Sequence, residues 1–341
     1  MVDLEICLMA TKPYFSLIYQ GVDISSEMDP QTTSISYTDK HHGEMDEIEV
    51  EVQDKDGRWK GEWCPEPGDV MNLTIFDGKG GVLPCGDFEM DEPEASGSRD
   101  GDIMTIRGLA APISKPLRTE KTRAFEKQSL RAIVSKVTGE NGLSLEGDIE
   151  NLNFERVTQR RERDLEFLTR LAEDTGHYFT VKGKRAIFTS FKSVDGRAAA
   201  LAISHGQIGT MLQDYRLKFQ TAETYSKASV SYLDANKKEP IKLEEADAQV
   251  KTGDTLKISG ERTESPANAK ALAKSRLHFK NRKSRSGSIS LVGDVRVLAG
   301  ITVDMTDFGK YSGKYLIDTS THRMSRDGYT SEAEIIDARG K

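Results

Sequence analysis

The side chains with most reactive potential gather in STHRMSRDG, where Ser320, His322, Ser325 and Asp327 lie close together. A Ser-His-Asp triad would make this an acyl-transfer site. Such a triad converges from separate elements and holds its serine on a strained turn. Residues two or three apart on one strand and its turn point to different places, and the chain has no Gly-x-Ser-x-Gly. A turn with one interior or capping histidine is the expected arrangement. His41 and His42, with Asp46 and Glu47 after them, are metal-ligand types. No third and fourth ligand follow at a recognised spacing, so a solvated loop is expected. Glu162, Asp164 and Glu166 could supply acid–base chemistry from a helix. At i, i+2, i+4 they do not share one face, and Arg160, Arg161, Arg163 and Arg170 stand near enough to pair with them. A solvated or interface surface is expected there. DGKGG (Asp77–Gly81) lacks the Gly-Lys-Ser/Thr continuation of a phosphate loop and reads as a hairpin turn. Lys274, Arg276, Lys280, Arg282, Lys283 and Arg285 form a basic stretch that suits a phosphate backbone. The chain as a whole is acidic and carries no helix-turn-helix, zinc-finger or ribonucleoprotein motif, so a basic outer face is expected. No catalytic, cofactor-binding or metal-ligating residue is assigned.

The elements that must position these groups divide by period. EIEVEVQDKDGRW alternates Ile48, Val50 and Val52 with Glu49, Glu51 and Gln53, the signature of a half-exposed strand, and Gly57 closes its turn. Further strands up to about residue 110 are divided by Gly, Asp and Pro, which indicates an antiparallel sandwich or barrel. In QSLRAIVSKVTGENG the spacing of Leu130, Ile133, Val134 and Val137 predicts a helix capped by Ser129 and stopped by Gly139 or Gly142. Leu165, Phe167, Leu168, Leu171 and Ala172 make a second apolar stripe that Gly176 terminates, and the two helices are expected to pack together with their charges outside. HYFTVKGKRAIFTS reads as a hairpin turning at Gly183. Strands return from about Gly206, and one more helix begins at Ser265–Pro266. Residues 1–115 are therefore read as a first β domain, 116–205 as a helix-helix-hairpin module, and 206–341 as a second β domain with one helix.

The 341 residues, 36% of them hydrophobic and 30% charged, allow two or three thin modules with much exposed surface. The mean hydropathy is −0.55. No apolar run is long enough to span a membrane. Asp3 and Glu5 stand where a signal peptide needs positive charge. Cys7, Cys64 and Cys85 show no C-x-x-C spacing and read as buried thiols in a reducing compartment. Charge is unevenly spread: residues 1–115 hold 24 Asp/Glu against 9 Lys/Arg, a net of −15, and the remainder carries +8.

In this order the pieces resemble the late control gene D family, the baseplate hub proteins of contractile phage tails. That family is related to the hub portion of the type VI secretion spike protein VgrG and occurs in R-type tailocins. The resemblance runs through ISYTDKHHGEMDEIEVEVQDKDGRW, CGDFEMDEPEASG with DIMTIRGLAA, QSLRAIVSKVTGENGL, RERDLEFLTRLAEDTGHYFTV, SPANAKALAKSRL and the closing AGITVDMTDFGKYSGKYLIDTSTHRMSRDGYTSEAEI. It implies an α+β, mainly β fold: two antiparallel, barrel-like tube domains with a helical and hairpin module between or beside them. It also implies a homotrimer whose six similar domains ring a channel, joining a sixfold tail tube protein to a threefold central spike protein, with a tape-measure protein in the lumen. The spike is expected on a separate chain, because nothing like a needle repeat follows Ile336. No cofactor, membrane binding or specific nucleic acid is implied, and the expected location is the tail baseplate, assembled in the bacterial cytoplasm. The rival functions are a tail-associated cell-wall hydrolase, which needs paired carboxylates or a metal, and a nucleic-acid binder.

Overall fold

The computed structural model describes residues 12–99, 101–110, 119–234, 239–251, 253–259 and 265–339. Its backbone is a 13-stranded sheet. The main path runs Leu212–Phe219, Arg285–Val292, Gly328–Asp337, Gly313–Ser325, Thr32–Lys40, Glu47–Gln53, Gly101–Leu109, Val82–Ser98, Val70–Phe76, Tyr14–Tyr19 and Val22–Asp23. Every pairing along this path is antiparallel. Off the path, Leu201–Ser204 pairs in parallel with Thr302–Thr306, which in turn pairs with Gly313–Ser325.

Alternation builds the sheet as the sequence predicts. Ile48, Val50 and Val52 are buried while Glu47, Glu49 and Glu51 take the other side. One face is covered by two cores. The first gathers Leu17, Ile35, Ile48, Leu73, Phe88 and Ile106, and Met324 and Tyr329 reach it from the end of the chain. The second gathers Ile203, Leu212, Leu291, Val303, Tyr315 and Ile335.

The two β regions, expected as separate tubes, share this sheet, and its described ladders form an open path that closes no barrel. They join where Thr32–Lys40 pairs with Gly313–Ser325. Both strands carry Ser and Thr on one face and apolar or buried polar groups on the other. Pairing them in register therefore continues the covered face and the open face at once.

The middle of the chain forms its own core. A helix at Leu130–Glu140 is capped by Ser129, whose hydroxyl accepts from the Ala132 amide at 3.3 Å. A helix at Asp164–Thr175 ends in left-handed Gly176, at φ 81°. The hairpin His177–Lys182 and Arg185–Ser190 turns at Gly183. Leu130, Ile133, Val134, Val137, Phe167, Leu168, Leu171 and Phe188 meet in one cluster, as expected of the two stripes. A late helix, Pro266–Asn281, is capped by Ser265 and lies on a three-stranded sheet of Tyr225–Asp234, Glu239–Ala246 and Asp254–Ile258. No helix among the described residues is long and apolar enough to cross a membrane.

Candidate functional site

The open face of the long sheet follows directly from the register. Asp214, Ser290, Glu332, Thr321, Thr38 and Glu47 stand in one row across six strands. A second row runs Arg323, Ser36, Glu49, Arg107 and Glu92. The rows cross from the last strands of the chain to the first without interruption. Thr38 and Thr321 hydroxyls meet at the crossing, 3.4 Å apart. Arg107 donates to Glu49 at 2.8 Å and stands near Glu92 and Glu94. Short hydroxyls and charges, acidic ones in excess, give a polar wall with little for an apolar partner to grip.

Behind the wall lies a seam that holds the helical module to the sheet, built around Asp39–Gly43. The His41 amide donates to Asp318 O at 3.0 Å, and the Ala299 amide donates to Asp39 Oδ2 at 2.8 Å. The Gly43 amide donates to Phe179 O, and the Phe179 amide donates to His42 Nδ1, both at 2.9 Å. Lys182 pairs with Asp39 and Asp46 and donates to Lys40 O. Five residues thereby bind strands from the start, middle and end of the chain. Tyr178 sits at the centre, packed among His41, His42, Phe191 and Phe279, with its hydroxyl 3.3 Å from both Asp195 Oδ1 and His278 Nε2. Arg276 of the late helix pairs with Glu173 and Asp174 at the end of the middle helix.

Burial sets the protonation states of the seam. It holds His41 well below the usual histidine range, with His42, Arg282 and Lys182 adding repulsion. Burial, then Arg282 and Arg339, lower His278 to about 3. Burial raises Asp195 to about 7, against the Tyr178 hydrogen bond and Arg282. Burial thus disfavours the charged form of both members of the Asp195–His278 contact, 3.4 Å apart.

Several expectations are corrected here. His41 and His42 are not solvated; they are packed under Tyr178, because the main chain on both sides of them is hydrogen-bonded to other modules. Of the three middle carboxylates, Glu162 closes a strand and is held by Arg170, and Glu166 caps the helix by accepting from the Arg163 amide at 2.9 Å. Asp164 is fully buried rather than exposed. It accepts from Lys121, from Arg123 at 3.0 Å, from Asn141 at 2.8 Å and from Gln159 at 2.9 Å. Burial pushes its carboxyl up, but those hydrogen bonds and the Arg123 charge outweigh it, leaving the pKa low.

Ser320 and His322 do share a face, being two apart on one strand, and lie 3.2 Å apart. Both are fully buried, and the ring is held by Tyr329, Ser331 and Val297 O; Asp327 is exposed in the turn. This is an interior histidine, as expected. Asp77–Gly81 is a hairpin turn between Val70–Phe76 and Val82–Ser98, also as expected.

The basic stretch does not form one face. Arg276 pairs as above, Arg282 is buried against Phe279, and Arg285 lies over Tyr315 beside Asp337, which leaves Lys274, Lys280 and Lys283 exposed. Cys64 is exposed in a turn and Cys85 is half-buried, contrary to the buried thiols expected; Cys7 lies outside the described residues. Among the described residues no group of three or more His, Cys, Asp or Glu is placed to hold a metal ion. The sequence reading missed Lys182, Tyr178, Asp195 and His278. For Tyr178 the signal was the run HYFTV, His177–Val181, a strand whose five residues are all buried; nothing comparable marks Lys182, Asp195 or His278.

The family model for the phage tail baseplate hub (GPD) matches residues 86–328. The chain belongs to this family. It is 31% identical over 180 residues to the probable baseplate hub protein of Escherichia phage P2, and 29% identical over 178 residues to that of Escherichia phage 186. Those matches cover 52% of this chain but only 45% and 44% of the relatives, so the chain matches less than half the length of either. In fold it is similar to the 43 kDa tail protein of prophage MuSo2 from Shewanella oneidensis, at 15% identity and TM-score 0.72 over 96% of this chain and 99% of that one. A component of the E. coli type VI secretion system is also similar, at 13% identity and TM-score 0.58 over 91% of this chain and 75% of that one. Family membership places this hub in the tail baseplate.

Proposed function

We propose that this hub is a non-enzymatic ring component in which three copies surround a channel, with the polar sheet face turned inward. The observation that carries this reading is the pair of polar rows running unbroken from one β region to the other. A face that must let another chain slide past needs short hydroxyls and hydrated charges, because apolar patches would grip the passing chain. The three-module division, with β regions at 1–115 and 206–341 around a module at 116–205, supplies two similar wall segments per copy. Three copies then present six, matching a sixfold tail tube on one side and a threefold spike on the other, with a tape-measure protein in the lumen and assembly in the host cytoplasm. The −15 of residues 1–115 against the +8 of the remainder favours alternation of unlike segments around such a ring.

Light scattering on the purified protein across a salt series tests the ring. A trimer in dilute buffer that assembles more slowly as salt rises is expected, since exposed charge is screened beyond about 8–10 Å at ordinary ionic strength. A monomer at every salt and at micromolar concentration would count against self-assembly. Clearing of peptidoglycan by the purified protein would favour a hydrolase instead.

A further inference from the structure

The seam contains a lysine held between two buried carboxylates, an arrangement that salt bridging alone leaves unbalanced. Asp39 and Asp46 side chains are 5% and 2% exposed, and the Lys182 ammonium contacts an oxygen of each. We propose that Lys182 and Asp39 condense into an intramolecular isopeptide bond, with Asp46 as the proton relay, welding the hairpin of the helical module to the strand that carries the polar wall.

Hydrogen bonds anchor all three side chains before reaction. Asp39 Oδ2 accepts from the Ala299 amide at 2.8 Å, leaving Oδ1 to face the lysine. Asp46 is fixed by the Lys40 amide at 2.9 Å and by the Tyr37 hydroxyl at 3.0 Å. Lys40 O accepts from Lys182 Nζ at 2.9 Å and aims it. Two carboxylates face one ammonium, so one of them is driven to keep a proton. Burial pushes Asp46 up to about 6, Lys182 opposing and the Asp39 charge adding to the rise.

The chemistry needs no co-reactant. A proton passes from the Lys182 ammonium to Asp39, which exchanges a poorly solvated ion pair for a free amine beside a carboxylic acid. The amine nitrogen attacks Asp39 Cγ while the Ala299 amide holds the carbonyl oxygen, Oδ2. Asp46 then carries the amine proton to the departing hydroxyl. One N–H and one C–O bond break, one C–N bond and one O–H bond form, and a single water leaves without any change of oxidation state. A cavity of about 700 Å³, with Tyr37, Asp39, Asp46 and Lys182 on its wall, gives that water an exit.

Intact-mass measurement of the full chain is the test, followed by tandem mass spectrometry of its proteolytic digest. The folded protein is expected to lie one water below its sequence mass and to yield a branched peptide joining Lys182 to Asp39. Lys182→Arg, which keeps the charge but cannot form the amide, should return to its full sequence mass. Asp46→Asn should leave the bond unformed or form it much more slowly. Succinimides at the Asp–Gly pairs 56–57, 77–78, 100–101, 195–196 or 327–328 also lose one water, so a deficit that persists in Lys182→Arg overturns the proposal. A wild-type protein at its full sequence mass overturns it, as does a branched peptide linked through Asp46.

Discussion

Replacing Asp164 with alanine should destabilise the helical module by about 3–5 kcal/mol, the range for removing one partner from a buried charge network. The carboxylate is fully buried and takes four side-chain donors. Their losses are unequal. Lys121 and Arg123 are about a quarter exposed and can recover hydration, and Arg123 keeps its contact with Glu140. Gln159 is fully buried and would lose an acceptor, although it retains Glu162 O at 2.9 Å. Asp164 also opens a helix, where a negative charge faces the positive end of the dipole, worth a further fraction of about 1 kcal/mol.

Urea unfolding followed by far-ultraviolet circular dichroism reads the helices, the two middle ones together with Pro266–Asn281, whereas Trp59 and Trp63 fluorescence reads the first β region. The account requires the dichroism transition to move while the fluorescence transition stays nearly in place. The pH dependence carries a sign as well. The folded pKa is low, so this stabilisation is complete above the unfolded value near 3.9 and is lost as pH falls toward the folded one. An Asp164→Ala cost within about 0.5 kcal/mol, typical of a surface position, would refute the view that this carboxylate organises the module.

Leu168→Ala should cost roughly 2–5 kcal/mol, because its side chain is buried in the shared helix core; Glu166→Gln should stay within about 0.5 kcal/mol, since glutamine keeps the acceptor for the Arg163 amide. Denaturant titration of the pair tests both. His177 Nε2 accepts from the Glu150 amide at 3.1 Å, and burial lowers the ring to about 4, so its contribution is full above pH about 6.5 and fades as pH falls toward 4. His177→Gln should therefore flatten the stability–pH profile between those values, and an unchanged profile would argue against a buried neutral ring. Gly300 has φ +84°, and an added Cβ would meet His41 Nδ1 at 2.7 Å. Gly300→Ala should thus loosen the seam by more than about 1 kcal/mol, read as faster proteolysis between the sheet and the helical module.

Local features were legible because local rules decide them. Ser129, Ser265 and Gly176 fall where helix caps belong, Gly183 and Asp77–Gly81 mark their turns, and Ile48, Val50 and Val52 alternate as a half-buried strand must. What escaped was long-range. The crossing of Thr38 with Thr321 depends on which edge finds which, and neither strand's own pattern names its partner. His41 and His42 looked solvated because their neighbours are polar; in the fold the His41 amide donates to Asp318 O and His42 Nδ1 accepts from the Phe179 amide. Asp164 was misread for the same reason, since nearby arginines suit an exposed helix as well as a buried network. The short helix Phe191–Asp195 was also missed, although Ser190 caps it.

The proposed ring turns the polar face of the sheet toward a channel. A three-dimensional reconstruction of the assembled baseplate by electron microscopy, with this chain fitted, measures it directly. Three copies in a ring are predicted, with Thr38, Thr321, Glu49 and Glu332 on the inner wall and the helical module outside it. A ring with those residues facing outward, or buried against the spike, would contradict the account.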